Sequence, residues 1–269
     1  MRSIDLKPKQ QNAYVGLWRM LQTNGNYAKA GEVLTKWLEA DPDNPIAQHY
    51  FHSNKGVDVP DRASDAYVQQ TFDGFAASFD DVLKRLDYRA PELTAEAVAA
   101  IYPQPNNKLS ILDAGCGTGL CGPFLKAYAC KLIGVDLSQA MLEKAGGRKL
   151  YDALNQAELV EYLSRFNNAY DLIVSADTLC YFGELQPFFL AVKQALNPNG
   201  CLVFTLEKYE GDQPLNFKLN PHGRYSHRAD YVEQLLIDCG LSLLELRSVI
   251  LRKELGKPVT GLLVSAKLS

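Results

Sequence analysis

The stretch Leu112-Asp113-Ala114-Gly115-Cys116-Gly117-Thr118-Gly119-Leu120 decides the fold of this 269-residue chain. It continues the apolar run that begins at residue 109, and the helix-forming residues 122–129 follow it. We therefore expect a tight turn between a strand and a helix. Glycines allow such a turn and let a ligand approach backbone that a side chain would cover. The stretch predicts a ligand site at the carboxyl end of the first strand.

The next strand, residues 131–136, ends in a second acid, Asp136, which follows Gly119 by seventeen residues. An acid at this place in a doubly wound fold accepts hydrogen bonds from ribose hydroxyls, so NAD and S-adenosylmethionine both remain open as ligands. The glycine spacing is G-x-G-x-G, whereas dinucleotide sites use G-x-G-x-x-G. Asp113, directly before the glycines, suits an ammonium group better than a diphosphate. These two details favour S-adenosylmethionine.

Strands and helices alternate from residue 109 to the end of the chain. The predicted strands are 109–113, 131–136, 154–159, 171–175, 201–206, 241–251 and 259–267. The predicted helices are 122–129, 138–145, 160–165, 187–196 and 229–239. This order predicts an α/β fold: a Rossmann-like, doubly wound, mainly parallel seven-stranded sheet with an antiparallel last strand, preceded by a helical segment.

Four segments of this region resemble the motifs of class I S-adenosylmethionine-dependent methyltransferases. They are the glycine turn 112–119, the segment 134–142 around Asp136, the fourth strand 170–177, and the turn 196–200 before the fifth strand. More narrowly, the segments 71–80, 88–91 and 223–227 are similar to predicted methyltransferases that carry a tetratricopeptide-like N-terminal segment. The resemblance implies S-adenosylmethionine as cofactor and S-adenosylhomocysteine as product.

The resemblance also assigns a cofactor site. The three glycines would lie against the methionine part, Asp136 would bind the ribose, and Leu137 and Met141 would lie near the adenine. Glu158 and Leu159 stand where the family reads the adenine edge, although Asp is commoner there, and an ordinary acid at a helix start is an equal alternative for Glu158. The full predicted set is Asp113, Gly115, Cys116, Gly117, Gly119, Leu120, Asp136, Leu137, Met141, Glu158, Leu159, Ala176 and Arg89.

The residues that would meet the methyl acceptor are sought after the fourth and fifth strands. The insertion 208–228 is rich in basic and aromatic residues, which would hold an anionic substrate or supply a base; a solvated basic loop is the alternative. We predict His227, Tyr225 and Tyr181 as catalytic candidates and expect no metal site. Phe72, Phe75, Phe79 and Tyr88 predict either a lid over the pocket or ordinary core.

The N-terminal region reads as three helices at 13–21, 27–39 and 45–52. The first two, with the turn Asp41-Pro42, resemble about one and a half tetratricopeptide repeats, too few to bury their apolar face alone. We predict a helical tetratricopeptide-like segment at residues 1–58 and a class I methyltransferase domain at 65–269. The segment would either pack as a cap on this domain or bind a protein partner.

Composition narrows the function further. The net charge of −3 is unlike that of a general nucleic-acid binder, so we expect no nucleic-acid partner. No apolar leader or membrane-length apolar run is present, which predicts a cytoplasmic location and no membrane partner. The sequence thus predicts a methyltransferase that acts on a small molecule by O- or N-methylation, with a mild preference for an acid or phenol as acceptor. The alternatives are protein methylation through the N-terminal helices, a non-catalytic cofactor-binding adaptor and, less favoured, an NAD-dependent oxidoreductase.

Overall fold

A layer of six helices precedes the first strand in the computed structural model, which describes residues 11–56 and 58–268. The predicted segment 1–58 therefore begins outside the described residues. The helices are α1 (Gln11–Thr23), α2 (Tyr27–Ala40), α3 (Pro45–Lys55), α4 (Asp65–Phe75), α5 (Phe79–Arg85) and α6 (Ala90–Ile101). The chain leaves α4 after Phe75 and begins α5 at Phe79.

Helices α1 to α3 form their own hydrophobic cluster. Trp18 and Trp37 are buried in it, and the Tyr14 and Trp37 rings stack with centroids 5.4 Å apart. The same cluster includes Ala63 and Tyr67, so apolar packing continues across the boundary expected near residue 58. The three predicted helices are thus in place, while their membership of the tetratricopeptide class stays a prediction.

A nine-stranded sheet follows the helical layer. Its strands are β1 (Leu109–Ala114), β2 (Ala129–Asp136), β3 (Ala153–Gln156), β4 (Tyr170–Ser175), β5 (Leu196–Lys208), β6 (Phe217–Leu219), β7 (Tyr225–His227), β8 (Leu241–Glu254) and β9 (Lys257–Leu268). Strands β3, β2, β1, β4 and β5 are parallel neighbours in that order, and β9 pairs antiparallel with both β5 and β8. The predicted mainly parallel, Rossmann-like sheet is confirmed in this order.

Two details of the predicted sheet are wrong. The expected seven strands are nine, because the insertion after β5 folds into the hairpin β6–β7, and β7 pairs with the end of β5. Two strands, β6 and β9, run against the others, where one was expected. The hairpin forms because the polar insertion contains Leu219, Tyr225 and His227, whose side chains are nearly or fully buried.

Helices cover both faces of the sheet. They are α7 (Gly122–Leu125), α8 (Gln139–Gly147), α9 (Leu159–Leu163), α10 (Gln186–Ala195) and α11 (Ala229–Asp238). Successive strand residues serve opposite faces: Ile111 belongs to one hydrophobic cluster and Leu112 to the other. Because β1, β2 and β4 are parallel neighbours, their carboxyl ends meet at one edge, where the site lies. Across the described residues, no helix combines the length and the apolar character that spanning a membrane requires.

Candidate active site

A cavity of about 710 Å³ lies at the carboxyl ends of β1, β2 and β4. Its walls come from the glycine turn, the ends of the strands and the N-terminal helices. The predicted site residues that line it are Gly115, Cys116, Gly117, Leu120, Asp136, Leu137, Met141, Glu158, Leu159, Ala176 and Tyr181. Eleven residues expected from the sequence are thus brought together in one cavity.

The glycine turn approaches its neighbours too closely for side chains. Gly115 has φ +76°, and a Cβ placed there would be 2.2 Å from Thr178 Oγ1, which follows β4. Thr178 Oγ1 in turn donates to the Gly115 carbonyl at 3.1 Å. Gly117 also has positive φ, and its N–H donates to Asp136 Oδ2 at 2.9 Å. The turn therefore presents bare backbone to the cavity and is fixed by β2 and β4.

Asp136 is held with spare hydrogen-bonding capacity. Its Oδ1 accepts from Ser138 N–H at 2.9 Å, and its Oδ2 accepts from Gly117 N–H. Each carboxylate oxygen keeps a further lone pair, so a vicinal pair of hydroxyls would find acceptors here. Burial raises the pKa of Asp136, although these backbone N–H groups oppose the shift.

Glu158 has the helix-start role that the sequence offered as one alternative, and it also lines the cavity. Its Oε2 caps α9 by accepting from Glu161 N–H at 2.8 Å. Its Oε1 is buried and has no hydrogen-bond partner within residues 11–56 and 58–268, and the residue lines the cavity. A ligand donor would therefore meet an unsatisfied acceptor beside Leu159.

Three predicted cofactor residues do not line the cavity. Asp113 is buried behind the turn, where its Oδ2 accepts from Tyr151 O–H at 2.6 Å; burial raises its pKa to about 7. Gly119 serves close packing, because a Cβ there would be 2.9 Å from the Tyr151 ring. Arg89 lies near the surface and pairs with Glu96 at 3.3 Å. These three residues thus lie outside the cavity wall, and a role for them in cofactor binding stays a prediction.

The two catalytic candidates from the insertion are also misplaced. His227 is fully buried, its Nε2 lies 3.0 Å from the Gly183 carbonyl oxygen, and burial lowers its pKa to about 4. Tyr225 is fully buried as well, and its hydroxyl donates to the Pro60 carbonyl at 2.7 Å. Both side chains hold the hairpin against the rest of the fold, and only Tyr181 of the three candidates lines the cavity.

The end of the cavity beside Asp177, called the acceptor end below, contains a charge cluster whose assembly the sequence did not predict. Its members are Asp177, Glu207, Arg224, Arg252 and Glu254. Arg252 is 3% exposed and pairs with all three carboxylates, including Asp177 Oδ2 at 2.8 Å. The available signal was a charged residue inside an apolar strand pattern, as at Glu207 in β5 and Arg252 in β8, since such a charge is buried only with partners.

Two aspartates tie helices α4 and α5 to the end of the cavity formed by the glycine turn and Asp136, called the cofactor end below. Asp73 accepts from Ser138 O–H at 2.6 Å, and Asp80 accepts from Thr118 O–H at 2.5 Å. Asp80 also pairs with Arg148 at 2.5 Å. The aromatic residues Phe72, Phe75 and Phe79 of these helices line the cavity, as Tyr88 does, and their action as a lid stays a prediction.

The N-terminal helices close the acceptor end. The ring of His49 on α3 lies 2.8 Å from the Gly223 carbonyl oxygen and stacks on Tyr67 with centroids 3.8 Å apart. Ala63 N–H donates to the Tyr181 carbonyl at 2.8 Å. Val15 and Ile46 from α1 and α3 line the cavity itself. Among the described residues, no group of three or more His, Cys, Asp or Glu is arranged to hold a metal ion.

Comparison with known families assigns the central part of the chain. Residues 112–202, roughly a third of the chain, match the family model described as "Methyltransferase domain". The matched range begins at the glycine turn and ends in β5, so it contains the cofactor end of the cavity.

Two curated relatives match over part of their length. Human methyltransferase-like protein 27 is 36% identical over 102 residues, which are 38% of this chain and 40% of that protein. The ubiquinone biosynthesis O-methyltransferase of Rickettsia akari is 27% identical over 130 residues, 46% of this chain and 50% of that protein. The chain thus spans half or less of the length of these two relatives.

Solved structures share the fold at low identity. The 1,6-didemethyltoxoflavin N1-methyltransferase of Burkholderia thailandensis, solved with S-adenosylhomocysteine, has a TM-score of 0.61 at 17% identity, covering 80% of this chain and 94% of that one. The cyclase SpnF has a TM-score of 0.62 at 17% identity, covering 77% of this chain and 97% of that one. The fold therefore extends well beyond residues 112–202.

Proposed function

We propose that this chain, whose residues 112–202 match a methyltransferase domain, transfers a methyl group from S-adenosylmethionine to a small molecule. The observation that carries the proposal is the bare glycine turn beside Asp136, both on the wall of one cavity. That pair offers backbone to an amino-acid moiety and carboxylate oxygens to a ribose, which is the arrangement that the ligand requires.

The residues present fit S-adenosylmethionine. A side chain at Gly115 would collide with Thr178, so the turn keeps its backbone open to the cavity. Asp136 would accept the ribose hydroxyls, Leu137 and Met141 would pack against the adenine, and the unpaired Glu158 Oε1 would accept from the exocyclic amine of the adenine. When bound, S-adenosylmethionine supplies an electrophilic methyl group; the protein's part is to align an acceptor and exclude water.

A small acceptor agrees with the size and enclosure of the cavity. About 710 Å³ lies within the range of small-molecule sites, and both cofactor and acceptor must share it. Helices α1, α3 and α4 contribute Val15, Ile46 and Tyr67 to its walls, so the N-terminal helices enclose the acceptor end. This placement supports the cap that the sequence left as one of two roles for these helices, and it favours a small acceptor over a protein partner.

Isothermal calorimetry with S-adenosylmethionine, S-adenosylhomocysteine and NAD tests the proposal. We expect micromolar binding of the two adenosyl ligands and none of NAD. Asp136→Ala should weaken adenosyl binding by about 100-fold, because two hydrogen bonds to a charged group are lost. Asp212→Ala, which removes an exposed carboxylate in the insertion, is the matched control. Binding of NAD alone, or no adenosyl binding by the folded protein, would refute the proposal.

A further inference from the structure

The charge cluster at the acceptor end contains more negative than positive charge. Asp177, Glu207 and Glu254 provide three carboxylates, and Arg224 and Arg252 provide two guanidinium groups. His222, 3.6 Å from Glu207, adds no charge at neutral pH, because burial and Arg224 lower its pKa to about 4. One negative charge in the cluster is therefore not compensated within it.

The arginines of the cluster already form ion pairs within it. Arg252 pairs with Asp177, Glu207 and Glu254, and Arg224 pairs with Glu207 and with Glu254 at 2.6 Å. Burial disfavours ionisation of Glu207, but Arg224 and Arg252 outweigh it and hold the pKa of that carboxyl below its ordinary value. A carboxylate ligand would thus meet arginines that are paired and an excess negative charge. The acidic class of acceptor, favoured by the sequence together with phenols, is disfavoured by this geometry.

Asp177 is the member of the cluster that has an unused hydrogen-bond acceptor. Its Oδ2 is bound by Arg252, whereas its Oδ1 is buried with no hydrogen-bond partner in the described structure. A buried unpaired oxygen is costly, so a donor from a ligand would be strongly favoured there. Asp177 also has φ +54°, an uncommon conformation for a residue with a side chain, and such outliers cluster at functional sites.

Asp177 also stands at the junction between the two ends of the cavity. It precedes Thr178, whose side chain donates to the carbonyl of Gly115 in the cofactor turn, and it follows Ala176, which lines the cavity. Its own N–H donates to Thr205 Oγ1 at 2.8 Å, which ties it to β5. A proton acceptor at this junction lies between the place of the cofactor and that of the methyl acceptor.

The walls beside this junction are aromatic. The Phe72 and Tyr181 rings are 5.4 Å apart and nearly perpendicular, and Phe72 is 6.1 Å from Phe79. Such walls favour a flat aromatic ring, since edge-to-face contacts add to its apolar burial. A neutral aromatic hydroxyl matches both the walls and the unpaired oxygen.

Resting on the proposed function, we infer that the methyl acceptor is a neutral phenol and that Asp177 Oδ1 accepts its hydroxyl proton. As the phenol oxygen bonds the methyl carbon, the carbon–sulfur bond breaks and its electron pair stays on sulfur. The O–H proton passes to the Asp177 carboxylate, which balances the charge. Burial, opposed by Arg252, raises the pKa of Asp177, which favours this proton transfer.

Two probes of the same ring test the inference: 4-nitrophenol and 4-nitrobenzoate, each titrated into protein saturated with S-adenosylhomocysteine. We expect the wild type to bind the phenol about tenfold or more tightly than the acid. The absorption band of the phenolate should disappear on binding, because a carboxylate partner keeps the phenol protonated. Asp177→Asn should lose the preference and keep the phenolate band, while Asp212→Asn should behave as wild type.

The outcomes separate the two proposals. Failure of S-adenosylhomocysteine to bind the wild type refutes the proposed function. If it binds, the inference alone is overturned by equal or tighter binding of nitrobenzoate, by absence of nitrophenol binding, or by a phenolate band that persists in the wild type. Retained S-adenosylhomocysteine binding shows that Asp177→Asn is folded, and the two-probe comparison on the wild type decides even if that variant does not fold.

Discussion

The two ends of the cavity are built by opposite means. The cofactor end is formed mainly by a short continuous stretch, residues 115–120, and by the end of the next strand; it presents backbone together with the carboxylates of Asp136 and Glu158. The acceptor end collects side chains from β5 and β8, from the residues that follow β4 and precede β7, and from the N-terminal helices; its charges pair with one another and leave one carboxylate in excess. The first depends on backbone conformation, whereas the second depends on each partner of a network being present.

The largest effect should come from breaking the acceptor network. Arg252→Met leaves the buried Glu207 and the partly buried Asp177 and Glu254 with one guanidinium, so we expect the free energy of unfolding to fall by about 3–5 kcal/mol. Urea denaturation measures it. The matched control is Arg247→Met on the same strand, whose ion pairs are 41% exposed on the arginine side, with an expected loss of about 0.5 kcal/mol. Equal losses of unfolding free energy in Arg252→Met and Arg247→Met would contradict a larger contribution from the buried network.

A second variant tests the backbone dependence of the cofactor end. Gly115→Ala forces a Cβ into Thr178 at φ +76°, and we expect about 2–3 kcal/mol of destabilisation from strain and overlap. Gly117→Ala is the matched control, because its φ is also positive but its nearest neighbour, Phe79, is 4.0 Å away; about 1 kcal/mol is expected. Thermal unfolding of both variants separates steric overlap with Thr178 from backbone strain at positive φ. A larger destabilisation in Gly117→Ala than in Gly115→Ala would contradict the geometry.

Acid should act on the acceptor end through His49. Burial lowers its folded-state pKa to about 4 from an ordinary 6.5, so the unfolded chain binds its proton first. The stability that neutral His49 contributes is present above pH 6.5 and is lost as the pH falls toward 4. His49→Gln keeps a donor for Gly223, and it should reduce the loss of unfolding free energy between pH 7 and 4.5 by about 2 kcal/mol.

Denaturation curves across this pH range measure the effect. Asp113, with its pKa raised to about 7, works in the opposite sense: its contribution is present at low pH and is lost as the pH rises through 7. It cancels when the variant is compared with the wild type. An unchanged pH dependence in His49→Gln would exclude the histidine as its source.

The smallest effect concerns α5, which carries part of the predicted lid. Asp80→Asn weakens the tie from α5 to Thr118 and Arg148. Asp80 is 38% exposed and Arg148 is 28% exposed, so we expect a loss of only about 0.5–1 kcal/mol of unfolding free energy. The readout is the dissociation rate of S-adenosylhomocysteine, which should rise about two- to fivefold. Asp81→Asn, on the exposed side of the same helix, should leave it unchanged. A rate that does not change in Asp80→Asn would separate the lid from cofactor release.

The cofactor end could be predicted from the sequence because its residues lie close together along the chain. The glycine turn and Asp136 are separated by one helix and one strand, and their spacing alone indicates a ligand. The sequence does not show that the carboxylate of Asp113, in the same local stretch, accepts from Tyr151 and lies outside the cavity wall. Locality therefore predicts which segment forms a site better than it predicts where each side chain points.

The acceptor end could not be predicted from the sequence, because its residues lie far apart in the chain. His227 and Tyr225 stood out in a polar insertion, yet pairing of β7 with β5 buries both. Arg252 and Glu207 lie 45 residues apart and meet only through the antiparallel pairing of β9 with β5 and β8. The hairpin β6–β7 raised the strand count for a related reason, since its strands of three residues give almost no periodic signal.

The bond between His49 and Gly223 joins residues 174 positions apart, and this sets an order of events during synthesis. On the ribosome, α1 to α3 leave the exit tunnel long before their docking surface is made, whereas β1, β2 and the glycine turn emerge almost together. We expect the N-terminal helices to wait as a partly exposed hydrophobic unit, because contacts of such high sequence separation form late. A nascent chain would therefore complete its cofactor end first and enclose its acceptor end last.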